Sequence, residues 1–141
     1  MTTNIATEFF ELLGRGHIDG AMALTTDDFT WTVGGKPGGP FALAGTYDSA
    51  AYIEMLGHVA ASIPAGPQVE IVSVTQGSDR IVVETHVVGN SADGVGYDNN
   101  LVCVFDISDG RIAAVREYLD TIHASEVFTR NDRGSGDRSC R

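Results

Sequence analysis

The spacing of apolar residues in the first half of the chain predicts three helices. Apolar side chains in the segment 5–13 recur at intervals of three and four, which places them on one helical face, and glycines follow at once. A short helix is predicted at 18–24. A third helix can be capped by Asp48 or Ser49 and ends before Pro64, which cannot continue it.

The second half of the chain has the pattern of β-strands, with alternating or continuously apolar segments. Tight turns at 77–79 and 108–110 join two pairs of strands, and a longer polar connection at 89–96 joins the middle pair. Helices followed by an antiparallel meander are typical of an α+β fold. We predict that this sheet curls around the N-terminal helices. The predicted strands are 29–33, 69–76, 80–88, 97–107 and 111–121.

The length and composition fit one globular domain with a real core, since 141 residues would make two domains thin and 43% of them are hydrophobic. We predict a single domain over 1–129 and a disordered, polar tail over 130–141. No apolar run is long enough to span a membrane. The N-terminus lacks the basic start and apolar core of a secretory signal.

The charge balance argues against nucleic acid and anionic membranes as partners. Nine Lys and Arg residues face nineteen Asp and Glu residues, giving a formal net charge of −10, whereas a nucleic-acid binder needs a basic face. Neither Cys103 nor Cys140 has a neighbouring cysteine at metal-binding spacing, so we expect no disulfide framework and no metal site. A reducing cytoplasm is the predicted location.

The alternation of side chains along the strands indicates the first candidate catalytic residue. Glu117 shares its strand face with Val115 and Leu119, and a single carboxylate among apolar neighbours is expected to point inward. Desolvation there would raise its pKa and suit it to acid–base chemistry. In the strand 80–88, Glu84 and His86 share one face, but the opposite face is apolar as well. Periodicity therefore leaves open which face of that strand lines a pocket.

Three segments carry a resemblance to a known group of proteins: Gly16–Gly20, Asp27–Trp31 and the closing hairpin Val102–Asp120. With the element order, they resemble the SnoaL-like and ketosteroid-isomerase-like branch of the nuclear transport factor 2-like superfamily. The resemblance implies an α+β fold with a cone-shaped, curved sheet, mixed or antiparallel, wrapped around N-terminal helices. That superfamily contains isomerases, cyclases, dehydratases, epoxide hydrolases and non-catalytic binding modules, so the resemblance implies a fold and a pocket rather than one reaction.

Similarity to limonene epoxide hydrolase, read backwards from the last hairpin, implies roles for individual residues. Glu117 falls where that family has a catalytic Asp, and Glu84 and His86 fall where it has an Arg and a second Asp. The resemblance therefore implies a catalytic group of His86, Glu117 and Glu84 on the inner wall. Trp31 falls where limonene epoxide hydrolase has a Tyr in its pocket. The change of the Arg to Glu84 argues against polarising an epoxide in the same way.

Other positions indicate which residues line the pocket, and three of them argue against the ketosteroid isomerase mechanism. The Tyr donor, the Asp base and the protonated Asp of ketosteroid isomerase fall at Phe9, near Val33 and near Cys103, so steroid isomerisation by that mechanism is not expected. Asn99 shares its strand face with apolar residues and is a candidate hydrogen-bond donor. The residues predicted to bind substrate are Trp31, Val33, Tyr52, Asn99, Leu101, Cys103 and Leu119.

The expected function is that of a small acid–base enzyme without cofactor or metal. It would isomerise, cyclise, dehydrate or hydrolyse a hydrophobic polyketide-, terpenoid- or steroid-like molecule, with His86 as acid or base and Glu117 orienting it or acting as a second acid or base. Epoxide hydrolysis and a non-catalytic ligand-binding or dimerisation module are the alternatives. A homodimer is expected through an apolar patch on the outer sheet face. The residues predicted to form that patch are Ile81, Val83, Val87 and Tyr118.

Overall fold

The computed structural model describes residues 4–128, in which four helices and six strands are found. Asn4, Asp48 and Asp120 each precede a helix and accept a hydrogen bond from the backbone N–H three residues later, which satisfies a donor that the helix leaves free. The helices are α1 (Ile5–Gly14), α2 (Ile18–Met22), α3 (Ser49–Ser62) and α4 (Thr121–Val127). The strands are β1 (Thr25–Val33), β2 (Gly45–Asp48), β3 (Gln68–Gln76), β4 (Arg80–Asn90), β5 (Gly96–Ser108) and β6 (Arg111–Tyr118).

The six strands form one curved, unclosed sheet in the order β2-β1-β6-β5-β4-β3. The antiparallel meander from β3 to β6 confirms the prediction for the second half of the chain. β1 pairs parallel with β6 and antiparallel with β2, so the sheet is mixed. At the β5–β6 turn, Asp109 and Gly110 have φ angles of 52° and 75°, the left-handed conformation that a tight hairpin of this hand requires. The α+β class is confirmed.

Two elements were not predicted from the sequence. β2 has four residues in a glycine-rich region, which is too short for alternation to show. α4 was missed because the last strand was extended to residue 121, whereas β6 ends at Tyr118 and Asp120 caps the new helix. The predicted tail at 130–141, and with it Cys140, lies outside the described residues.

Aromatic side chains from α1, α3 and the sheet form the centre of the core. Trp31 of β1 stacks on Tyr52 of α3 with ring centroids 4.6 Å apart, and Phe9 of α1 lies 6.0 Å from Trp31. Phe105 of β5 contacts Phe9 edge-on at 6.1 Å. All four residues are buried. Burial of one such side chain contributes about 1.5–3 kcal/mol, and this cluster therefore fixes the two helices on the concave sheet face.

The two faces of β4 are the reverse of those implied by the resemblance. Ile81, Val83 and Val87 are buried against the helices, whereas Glu84 and His86 lie on the outer face. The predicted outer apolar patch is therefore wrong for those three residues. The fourth member, Tyr118, is exposed over 52% of its surface. Within residues 4–128, no helix is long and apolar enough to cross a membrane.

Candidate functional site

A cavity of about 770 Å³ lies between the concave face of the sheet and the helices α1 and α3. Its walls are mainly aliphatic and aromatic, and its size is that of sites for small organic molecules. Of the seven residues predicted to bind substrate, all but Asn99 line this cavity, although ligand contact remains a prediction. The lining residues that were predicted are Trp31, Val33, Tyr52, Leu101, Cys103 and Leu119.

Glu117 projects from β6 into the cavity, as the strand alternation predicted. It pairs in register with Cys103 of β5 and Val33 of β1, so it stands on the floor of the concave face. The indole N–H of Trp31 donates a hydrogen bond of 2.9 Å to its Oε1 atom. The Glu117 side chain is half-buried, and its exposed part faces the cavity.

The surroundings of Glu117 raise its pKa to about 7 from an ordinary value of 4.5. The main cause is desolvation, since burial disfavours the charged carboxylate, and the Trp31 hydrogen bond opposes it by stabilising the charge. Among the described residues, the cavity lining includes one other acidic side chain, Glu11, and no Lys, Arg or His. A carboxyl group with this pKa is partly protonated near neutral pH and can both accept and donate a proton.

Two further polar side chains around Glu117 keep their protons. Tyr52 is fully buried, and desolvation, followed by the charge of Glu117, raises the pKa of its hydroxyl well above 10. No hydrogen bond to this hydroxyl occurs within residues 4–128. Burial and the charge of Glu117 also raise the pKa of the Cys103 thiol well above its usual value, so Cys103 is not an activated nucleophile.

The predicted catalytic group of His86, Glu84 and Glu117 is not formed. On the outer face, His86 Nε2 lies 2.6 Å from Asp98 Oδ1 and its Nδ1 atom lies 3.8 Å from Glu70 Oε1. The hydrogen bond to Asp98 is the main cause of a raised His86 pKa. The Glu84 carboxylate accepts a hydrogen bond from a serine hydroxyl on β3. The placement of His86 and Glu84 on the inner wall was wrong, and the proposed role of His86 as an acid or base beside Glu117 is wrong with it.

Thr85 and Val87 take the inner positions on β4 and line the cavity. The sequence carried a signal for this arrangement, because the face with Thr85 has one polar residue among aliphatic ones whereas the other has two ionisable groups. Two charged groups cost more to bury than one hydroxyl, so hydrophobicity alone favoured the correct face.

Tyr97 is a cavity residue that sequence reasoning did not nominate. Its hydroxyl accepts a hydrogen bond of 3.0 Å from Asn99 Nδ2. Asn99 is buried on the inner face, as predicted, but its amide also binds the backbone of Asp120. Asp120 itself faces away from the cavity and caps α4.

No metal site is present in the described part of the chain, where no three His, Cys, Asp or Glu side chains are close enough together to hold an ion. The charged pairs of the sheet lie on its outer face, such as Arg116 with Asp106 at 2.6 Å. The polar groups that line the cavity include the carboxyl groups of Glu117 and Glu11 and the hydroxyl, thiol and indole groups of Tyr52, Cys103 and Trp31.

Solved structures with the same fold cover nearly the whole chain. A protein of unknown function from Burkholderia pseudomallei, described as NTF2-like, is 23% identical with a TM-score of 0.78, and the alignment covers 89% of this chain and 95% of that one. TerC, co-crystallised with polyporic acid, is 20% identical with a TM-score of 0.77 and coverages of 89% and 96%. Bal32a, from a soil-derived mobile gene cassette, is 16% identical with a TM-score of 0.78 and coverages of 88% and 93%.

The match to a protein family extends over most of the chain. No curated protein matches this chain. The profile of the SnoaL-like domain matches residues 6–115, which includes α1, α3 and most of the sheet and ends two residues before Glu117. The chain therefore belongs to the SnoaL-like domain family and has the NTF2-like fold.

Proposed function

We propose that this protein is an acid–base enzyme that moves a proton on a hydrophobic small molecule bound in the cavity, with Glu117 as the catalytic group. The observation that carries the proposal is a carboxyl group with a pKa of about 7 in an apolar cavity, held by one hydrogen bond from Trp31. A general base is most effective when its pKa lies near the working pH.

The proton transfer follows from the chemistry of the lining. The Glu117 carboxylate takes a proton from a carbon next to a carbonyl group. The electron pair of the C–H bond forms a carbon–carbon double bond, and the π pair of the carbonyl group moves to its oxygen to give an enolate. The carboxyl group then returns the proton to the same carbon or to another. Hydroxyl groups that stay protonated, such as that of Tyr52, are suited to bind the oxygen that gains charge.

The cavity supports a polyketide-, terpenoid- or steroid-like substrate, because its walls are apolar and aromatic and its volume suits a molecule of a few rings. The fold neighbour TerC was crystallised with an organic small molecule, polyporic acid. Isomerisation, cyclisation and dehydration can each begin with such a proton transfer, and they are the reactions we propose.

Proton exchange tests this function without knowledge of the natural substrate. β-Tetralone, an enolisable bicyclic ketone, is incubated with the protein in heavy water, and deuterium uptake next to the carbonyl is followed by NMR. We expect the parent to exceed Glu117→Gln by about 10²–10⁴-fold. The matched control Glu84→Gln, which changes a carboxylate on the outer face, should exchange like the parent.

If the parent binds the ketone but deuterium uptake proceeds only at the rate in buffer, the proposed enzymatic activity is refuted. A non-catalytic binding module is then the remaining function. That second function needs a cavity but no acid or base. It is favoured by one observation: His86 and Glu84, the expected partners of Glu117, are outside the cavity.

We also propose that the outer sheet face forms a homodimer, with Tyr118 in the interface because it leaves 52% of a large aromatic side chain exposed. Light scattering should give a mass near twice that of the 14.9 kDa chain. A mass of one chain would contradict this.

A further inference from the structure

The Asn99 amide can take one orientation only. Its Oδ1 atom lies 3.2 Å from the backbone nitrogen of Asp120, which is a donor, so the acceptor end of the amide must face it. The Nδ2 atom is thereby turned towards the Tyr97 hydroxyl and the Asp120 carbonyl oxygen, both at 3.0 Å. One backbone N–H thus decides which way this buried side chain points.

This orientation leaves the hydroxyl proton of Tyr97 unused. Since an amide nitrogen only donates, the Tyr97 oxygen accepts from Asn99 and its own O–H must point elsewhere. Within residues 4–128, the structure shows no acceptor for that proton. Tyr97 is 4% exposed and lines the cavity. A buried donor without a partner is costly, and a ligand that offers an acceptor removes the cost.

The hydroxyl keeps its proton, and the ring is fixed in place. Burial raises the pKa of Tyr97 to about 12, and the charge of Glu117 adds to the effect. The imidazole of His123 stacks on the ring at 5.3 Å and 9°, and Phe128 packs edge-on at 5.1 Å. His123 Nε2 accepts a hydrogen bond from the backbone N–H of Asp98, which holds the imidazole in position.

We propose that Tyr97 donates a hydrogen bond to an oxygen of the bound ligand and that Asn99 is the positioning residue that directs this proton into the cavity. The ligand is accordingly a hydrophobic molecule with a carbonyl or ether oxygen that reaches Tyr97. The inference rests on the proposed function, in which the cavity binds the substrate and Glu117 moves its proton. It adds a second polar contact to the one that Glu117 makes with the substrate.

A matched pair of probes tests the contact with Tyr97. β-Tetralone and tetralin share a bicyclic skeleton and differ by one carbonyl group, and their binding is measured from the fluorescence of Trp31, the one tryptophan in the chain. Tyr97→Phe should weaken binding of the ketone about 3–10-fold, the effect of one neutral hydrogen bond, and leave tetralin unchanged. Tyr118→Phe makes the same chemical change on the outer face and should alter neither affinity.

Asn99→Asp tests the positioning role, because a carboxylate accepts the Tyr97 proton and turns it away from the cavity. Its ketone affinity should fall as in Tyr97→Phe, and the double variant should show no further loss. If Asn99→Asp does not fold, as judged by circular dichroism, Tyr97→Phe decides alone. Parent-like ketone affinity in Tyr97→Phe overturns this inference and leaves the proposed function intact. If neither β-tetralone nor tetralin binds the parent, both this inference and the proposed function are overturned.

Discussion

Replacement of Glu117 by Gln should stabilise the folded protein at alkaline pH while it removes the group proposed to carry the chemistry. The amide has nearly the shape of the carboxyl group, and its oxygen can still accept the Trp31 hydrogen bond. It cannot ionise. Comparison of the two proteins therefore isolates the cost of placing a negative charge in the cavity.

The magnitude follows from the raised pKa. The value of about 7 in the folded state exceeds the ordinary value of 4.5 by roughly 2.5, which corresponds to about 3 kcal/mol as an upper bound. Because the folded protein holds this proton more tightly than the unfolded chain, the contribution of Glu117 to stability is full below pH 4.5. It is lost as the pH rises through 7. The Glu117→Gln variant does not lose this stability, because its amide does not ionise.

The assay is urea unfolding at a fixed protein concentration, followed by circular dichroism at several pH values from about 4 to 9. The free energies of unfolding of the parent and of Glu117→Gln should agree closely at the acid end. Above pH 8 the variant should be more stable by up to about 3 kcal/mol. Glu84→Gln, on the outer face, should show no such divergence. A difference between parent and variant that does not change with pH would show that burial in the cavity does not raise the pKa of Glu117.

Three other substitutions test separate parts of the structure. Trp31→Phe removes the donor that holds down the Glu117 pKa, so the midpoint of the stability change should move to higher pH in the same unfolding experiment. His86→Ala should leave β-tetralone affinity and exchange within about two-fold of the parent, because the imidazole lies outside the cavity. Gly89→Ala should cost about 1–3 kcal/mol in urea unfolding, since its Cβ would stand 2.9 Å from Cγ2 of the buried Ile63.

The glycine prediction has a control in the neighbouring strand. A Cβ added at Gly96 meets nothing within 4 Å, so Gly96→Ala should unfold at nearly the same urea concentration as the parent. Loss of ketone binding in His86→Ala, with its fold intact, would show that the outer face takes part in function. A lower midpoint in Trp31→Phe would mean that the indole does not stabilise the carboxylate.

Local pattern was sufficient for the elements that bury one face. The alternation in β6 placed Glu117 inward because one carboxylate stood among aliphatic residues, and the hairpin at Asp109–Gly110 followed from turn chemistry. The prediction for β4 failed because both of its faces are partly apolar, and the resemblance to a distant family then placed Glu84 and His86 on the inner face. A shift of one residue exchanges the two faces of a strand.

The remaining parts of the site depend on contacts distant in sequence. The Trp31–Glu117 hydrogen bond joins residues 86 positions apart, and no local pattern reports it. The role of Asn99 depends on Asp120 in the cap of a helix that begins only after the last strand. The raised pKa of Glu117 followed from its apolar neighbours in sequence, but the hydrogen bond from Trp31 and the free proton of Tyr97 are visible only in the folded chain.

The pH titration of the Trp31 indole signal shows whether Glu117 takes up its proton near neutral pH in the folded protein. With one tryptophan in the chain, the indole N–H gives a single cross-peak in a nitrogen–proton correlation spectrum, and its hydrogen bond to Glu117 makes its shift report the charge of that carboxyl group. We predict a shift with a midpoint at about pH 7 in the parent and none in Glu117→Gln. A midpoint near 4.5, or a signal that does not move, would show that the cavity does not raise the pKa of Glu117.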